Sequence, residues 1–183
     1  MSEEMLVTYC APTLAGMKTG SLFSYKYEDR KSLNEQIRSL NKRMVPKGVC
    51  LIPIYVGEGR VLIYLYRPEK LKEDVSGKKS LKILNEMGYP DGDSNRCLAR
   101  LAKKLRQSET FPHEIGLFLG YPPEDVEGFI THGSKNALCS GFWKVYSDVE
   151  GAEKTFEQYR RCNKIYSASF KAGKSLDDLT VKC

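Results

Sequence analysis

Two runs of β-branched and aromatic residues flank a short glycine loop, and this pattern constrains the fold more than any other part of the chain. The runs are residues 49–56 (VCLIPIYV) and 60–66 (RVLIYLY), and the loop is 57–59 (GEG). This pattern predicts an antiparallel β-hairpin. Because Pro53 cannot donate a hydrogen bond to a neighbouring strand, we expect the first strand to lie at a sheet edge or to carry a bulge.

The segments around the hairpin predict an α+β fold. Residues 22–27 alternate as a strand does, residues 141–146 predict a further strand, and a long helix is expected after Asp148. Apolar residues at helical spacing predict helices over residues 29–44, 78–87 and 93–107. This order resembles an elaborated β-α-β-β-α-β unit. We therefore predict a mostly antiparallel sheet of about four strands with helices packed on it, in a ferredoxin-like sandwich.

In the first twenty residues the spacing of apolar side chains favours neither a helix nor a strand. Residues 2–10 fit a short helix or a strand equally well. Residues 10–20 contain Pro12, Gly16 and Gly20, which predict a loop.

Length and composition set the broad class. A chain of 183 residues suits one domain spanning 1–183, because folding at this size buries roughly 70% of the unfolded surface. The segment 174–183 is expected to be a flexible tail. No apolar run approaches the roughly 20 residues of a membrane span, and the acidic N-terminus lacks a signal-peptide pattern, so we expect a soluble cytoplasmic protein without a membrane partner.

The cysteines and charges narrow the function classes. Six cysteines occur without a C-x-x-C pair, which argues against a zinc ribbon or a dithiol redox motif, so no metal site is predicted and any cofactor is unknown. Residues 67–106 carry eleven Lys or Arg against six Asp or Glu, whereas residues 109–153 carry two against eight. Because a nucleic-acid-binding surface is more often basic throughout, we do not expect nucleic acid as a partner.

The densest chemistry lies in residues 111–130 (FPHEIGLFLGYPPEDVEGFI), which contain His113 and Glu114. A histidine can relay protons and an adjacent carboxylate can act as a base. If the fold brought Cys10 to His113, with Glu114 or Asp125 orienting the imidazole, a thiolate nucleophile would follow. The alternatives are structural: Glu114 would favour a helix start, His113 would bond locally, and Cys10 would pack as a small hydrophobe.

A ligand-binding cleft is a second interpretation. Residues 10–18 and 111–125 would form it, with Lys18, Tyr121 and Asp125 contributing polar groups. In residues 143–146 (WKVY), alternation would bury the tryptophan and present Lys144 and Tyr146 to the pocket. The ligand-binding candidates are thus Lys18, Tyr121, Asp125, Lys144 and Tyr146.

Several motifs together carry a family resemblance. They include residues 10–18 (CAPTLAGMK), 111–122 (FPHEIGLFLGYP) and 143–146 (WKVY). With them, the chain resembles a family of bacterial proteins known only as a domain of unknown function. The resemblance spans nearly the whole chain and implies no activity.

The sequence therefore leaves three functions open. The leading one is binding of an unknown small molecule in the cleft of residues 10–18 and 111–125. The second is an enzyme of hydrolase or transferase type that uses Cys10, His113 and Glu114. The third is a protein-interaction module that recognises its partner through the acidic region, residues 109–153, or through the basic helix that carries Arg96 and Arg106.

Overall fold

The computed structural model describes residues 1–107 and 110–182. None of the described helices combines the length and apolar character that a membrane span requires. In chain order the helices and strands are α1 Glu3–Leu14, β1 Gly20–Lys26, α2 Arg30–Met44, β2 Cys50–Val56, β3 Arg60–Tyr66, α3 Pro68–Ser76, α4 Lys78–Glu86, α5 Ser94–Gln107, α6 Ile115–Phe118, α7 Pro123–His132, β4 Cys139–Ser140, β5 Lys144–Val145 and α8 Val149–Lys171.

The chain divides into two compact units. The first consists of Met1–Glu69 and Arg161–Cys183, and the second is Lys70–Arg160. The one domain expected over residues 1–183 stays a prediction.

An antiparallel sheet in the order β1-β3-β2 forms the centre of the first unit. The hairpin predicted from the glycine loop is confirmed as β2 and β3. Both expectations for Pro53 are confirmed as well, because β2 is an edge strand and its register shifts between Pro53 and Tyr55. The missing N–H of Pro53 therefore lies where the strand pairing is already irregular.

The α+β class is confirmed, whereas the ferredoxin-like detail is not. The first three strands have the order of a split β-α-β unit, with β3 between β1 and β2. Strands β4 and β5 form a separate two-stranded ribbon instead of joining that sheet. The strand predicted over residues 141–146 shrinks to Lys144–Val145, since Gly141 N donates to Trp143 O in the turn between β4 and β5.

The loop predicted over residues 10–20 is wrong for its first half, because α1 continues through Pro12 to Leu14. Leu6, Cys10 and Leu14 recur at intervals of four and are buried against the sheet. That packing outweighs the hydrogen bond which Pro12 cannot make in the last turn of the helix. The chain leaves the helix at Gly16, whose φ of 76° favours glycine.

The other predicted helices are confirmed. Asp29 caps α2 by accepting a hydrogen bond from Ser32 N, and the predicted stripe on α2 is buried. Helix α5 begins after Asp93, whose Oδ1 accepts from Asn95 N and Arg96 N. The stripe of α2 comprises Leu33, Ile37, Leu40 and Met44.

The segment after α8 differs from the flexible tail expected over residues 174–183. In the described part of it, Leu176 and Leu179 are buried in the core of the first unit. Val181 N donates a hydrogen bond to Leu14 O. Two apolar residues three positions apart are too short a pattern to predict this packing from sequence.

A buried arginine holds these parts of the first unit together. Arg67, directly after β3, is 2% exposed. Its Nε donates to Thr13 O at 2.7 Å, and its Nη2 donates to Leu14 O at 2.7 Å and to Val181 O at 2.8 Å. The carbonyls at a helix C-terminus lack partners within the helix and carry partial negative charge, so a guanidinium both satisfies and neutralises them.

Replacing Arg67 is expected to destabilise the first unit. In Arg67→Met the carbonyls of Thr13, Leu14 and Val181 lose their charged donor, which should lower the free energy of unfolding by about 3 kcal/mol. Urea denaturation followed by far-UV circular dichroism measures the change. The matched control is Arg60→Met at the exposed start of β3, for which a change within about 0.5 kcal/mol is expected. Equal stability of the two variants would contradict the role given to Arg67.

Candidate functional site

Residues 111–132 fold into two short helices that meet at a glycine. Helix α6 is a single turn, and Gly120 ends it with a φ of 74°. Pro123 begins α7, and Glu124 and Asp125 in its first turn favour the positive helix end. A Cβ at Gly116 would lie 2.8 Å from Val126 Cγ2, so glycine is required for this close approach.

Asp125 organises the surroundings of these helices. Its side chain is 2% exposed. Trp143 Nε1 donates to its Oδ2 at 2.7 Å, while Tyr146 N and Ser147 N donate to Oδ1 at 2.8 and 3.1 Å. The Ser147 hydroxyl donates a fourth hydrogen bond at 2.9 Å. Four donors satisfy a buried carboxylate, so Asp125 fixes Trp143 and the residues after β5 against α7.

Glu114 is a buried member of an ion pair. Lys104 Nζ lies 2.6 Å from Glu114 Oε1, and the Tyr89 hydroxyl donates to the same oxygen at 3.0 Å. Lys104 Nζ also lies 4.7 Å from the centre of the Tyr89 ring. Burial first, and then the Glu114 carboxylate, raise the pKa of Tyr89, so its phenol stays protonated and can donate.

A cavity of about 400 Å³ lies between α6, α7 and the segment of Trp143 and Lys144. Most of its wall is apolar or aromatic. The rings of Tyr121 and Trp143 stack with centres 5.0 Å apart, and His113 meets Phe129 edge-on at 4.8 Å. The residues that line the cavity are Phe111, His113, Ile115, Gly116, Tyr121, Asp125, Val126, Phe129, Trp143 and Lys144.

The polar groups in this wall are few. Burial raises the pKa of Tyr121 to about 12, so this side chain is a neutral phenol at physiological pH. Asp125 reaches the cavity with both oxygens already bonded to Trp143, Tyr146 and Ser147. Any polar contact with a bound molecule would therefore come from His113, Lys144 or Tyr121.

Four of the predicted site residues come together at this cavity. They are His113, Tyr121, Asp125 and Lys144. Tyr146 lies outside the cavity wall, where its ring packs on Gly128 and its hydroxyl donates to Gly133 O.

The structure brings together further residues that the sequence interpretation left out. Phe111, Ile115, Val126 and Phe129 complete the apolar wall. Val126 and Phe129 lie one turn apart on α7, and this spacing beside Asp125 is the one sequence signal that could have placed them on the same face. Trp143 is buried as predicted, and it also faces the cavity.

Cys10 and Lys18 belong to the first unit. Cys10 is fully buried in the apolar cluster of that unit, and burial raises the pKa of its thiol to about 12. Burial also lowers the pKa of Lys18 to about 8. Because its pKa is raised, the Cys10 thiol is mostly protonated and poorly nucleophilic. These surroundings favour the packing interpretation of Cys10, and its catalytic role stays a prediction.

Asp125 generates a stability prediction. Asp125→Asn replaces one acceptor oxygen with an amide that cannot accept, so we expect a loss of about 2 kcal/mol in the free energy of unfolding. The emission wavelength of Trp143, the only tryptophan in the chain, should change, because the negative charge that accepts from its indole N–H is removed. Glu124→Gln is the control, because its exposed ion pair with Lys79 contributes little. Unchanged emission and stability in Asp125→Asn would contradict the anchoring role.

Cys10 generates a reactivity prediction. At pH 8, iodoacetamide should leave Cys10 unmodified in the folded protein, because both burial and the raised pKa suppress the thiolate. Partly exposed Cys139 serves as the internal control and should react. Peptide mass spectrometry gives the modified fraction of each cysteine. Modification of Cys10 at the rate of Cys139 would show an accessible thiolate and would favour the nucleophile hypothesis.

Comparison with known proteins identifies a family and no activity. The comparison with curated proteins and the comparison with solved structures give no match. One family model, described as "Protein of unknown function (DUF3793)", matches residues 6–180. The match covers nearly the whole chain, as the sequence resemblance does. The chain therefore belongs to the DUF3793 family of proteins of unknown function.

Proposed function

We propose that this protein binds a small, flat and largely apolar molecule in the cavity lined by Phe111, Tyr121, Phe129 and Trp143. The observation that carries the proposal is the cavity itself, about 400 Å³ with aromatic rings on several sides. Ligand sites in proteins typically measure roughly 300–1,000 Å³ and combine an apolar wall with a few polar groups. We call this space the binding cavity.

The arrangement of the rings supports a planar ligand. Tyr121 and Trp143 stack on each other in the cavity wall, and Phe129 meets His113 edge-on in the same wall. Aromatic side chains offer large contact areas with few rotatable bonds, so a flat ligand would bind them at a low cost in side-chain entropy. His113 and Lys144 would orient the ligand through its polar atoms.

The proposal narrows the cleft predicted from the sequence. It uses residues 111–125 together with Phe129, Trp143 and Lys144, and it does not require residues 10–18. No contact among the described residues favours an enzyme or a protein-interaction module. The bacterial origin and the cytoplasmic location expected from the sequence stay predictions.

The binding cavity can be tested with N-phenyl-1-naphthylamine, a neutral dye whose fluorescence rises in apolar sites. We expect saturable binding with energy transfer from Trp143. Phe111 is 50% exposed, so Phe111→Ala should remove one wall without disturbing the core. Losing the apolar surface that about half of a phenylalanine side chain would bury against the dye costs about 1 kcal/mol of binding free energy. This loss corresponds to roughly fivefold weaker binding.

The control is Leu138→Ala, which removes a side chain that is 62% exposed in the same unit and lies outside the cavity wall. It should leave the dye affinity unchanged. Absence of saturable binding, or an equal effect of both variants, would refute the proposed function.

A further inference from the structure

A second, more polar cavity of about 430 Å³ shares two residues with the binding cavity. Phe111 and His113 line both spaces. The other side of this polar cavity is formed by Arg100, Lys104 and Gln107 of α5 together with Glu114. A molecule held against Phe111 and His113 could therefore reach the side chains of α5.

The charges in the polar cavity do not cancel. Glu114 is matched by Lys104 at 2.6 Å and accepts a further hydrogen bond from Tyr89. Arg100 forms no ion pair with any residue in 1–107 or 110–182. Among the described residues that line this cavity, one full positive charge thus remains after the pair of Lys104 and Glu114 is counted.

The guanidinium of Arg100 also keeps an unused donor. Its Nε is buried and has no hydrogen-bond partner within the described part of the chain. A buried donor without a partner costs roughly 1–3 kcal/mol, and native proteins contain few of them. Because Nε itself is buried, an anion in the polar cavity would accept from the other nitrogens of the guanidinium and would offset this cost through its charge.

The geometry of α5 places a second cation nearby. Arg100 and Lys104 are four residues apart and therefore lie on the same face of the helix, one turn from each other. The planar guanidinium matches two oxygens of a carboxylate or a phosphate, and the ammonium adds charge at the same side.

We propose that the ligand of the binding cavity is an amphipathic aromatic acid, whose carboxylate or phosphate group is bound by Arg100 in the polar cavity. Lys104 and His113 assist, with Lys104 remaining paired to Glu114. This inference rests on the proposed function and adds the chemical class of the ligand: a flat apolar body with one anionic end.

Two dyes with the same aromatic body separate the two proposals. The first is neutral N-phenyl-1-naphthylamine, and the second is 8-anilinonaphthalene-1-sulfonate, which adds an anionic group. Arg100→Gln should weaken binding of the sulfonate about tenfold, as expected for loss of a hydrogen bond to a charged group, and should leave the neutral dye within about twofold. Arg96→Gln, an exposed position on the same helix, is the matched control and should change neither affinity.

The outcomes are distinct. If neither dye binds, the proposed function fails. If both bind and Arg100→Gln affects them equally or not at all, the binding cavity stands and the anion site is refuted. Arg100→Lys retains the positive charge but loses the planar set of guanidinium N–H donors. It should therefore bind the sulfonate dye more tightly than Arg100→Gln and less tightly than the unmodified protein.

A measurement on the unmodified protein keeps the test independent of variant folding. Raising NaCl from roughly 0.01 to 1 M shortens the Debye length from about 30 to about 3 Å, so it should weaken binding of the sulfonate and spare the neutral dye. An equal response of the two dyes to salt would overturn the anion site.

Competition identifies the anionic group. Displacement of the sulfonate dye by 2-naphthoate or 2-naphthyl phosphate at clearly lower concentrations than by neutral 2-naphthol is the expected result. The acid that displaces the dye at lower concentration shows whether the site prefers a carboxylate or a phosphate. Equal displacement by 2-naphthol would refute recognition of an anion.

Discussion

The carboxylate of Asp125 is the contact on which the binding cavity depends. It joins α7 to the residues on both sides of β5, because α7 carries the carboxylate while the indole of Trp143 and the backbone after β5 donate to it. Without these donors a buried carboxylate would be costly, and without the carboxylate the indole N–H would be unsatisfied. The position of Trp143, and with it one wall of the cavity, follows from that mutual requirement.

The first unit uses the same principle with the opposite charge. There the guanidinium of Arg67 joins the end of α1, the end of β3 and the segment at Val181 by donating to backbone carbonyls. In both units an ionised side chain is buried because several partners surround it. Arg100 departs from this pattern, since its buried Nε has no partner in the described chain, and a departure of this kind is expected at functional sites.

Local patterns predicted most of the secondary structure, whereas the functional roles depended on contacts that a pattern does not encode. The glycine loop and β-rich runs specified β2 and β3, and the apolar stripes specified α2 and α5. Pro12 concealed α1 because tertiary packing outweighed its effect on the backbone. His113 and Glu114, adjacent in sequence, have different environments: His113 lies at the cavity, while Glu114 pairs with Lys104 ten residues away. No spacing rule connects those two residues, so the pair could not be found from the sequence.

The close contact between Gly128 and Tyr146 extends control of the cavity beyond its lining. A Cβ at Gly128 would lie 2.4 Å from Tyr146 Cγ, so any larger residue at this position must displace the tyrosine ring. Tyr146 N is one of the donors to Asp125, which in turn holds Trp143. Tyr146 Cβ would lie only 2.7 Å from the same added atom, so truncating the tyrosine would not relieve the contact, and position 128 should remain glycine among relatives. Gly128 therefore influences the shape of the cavity although it is not one of the residues that line it.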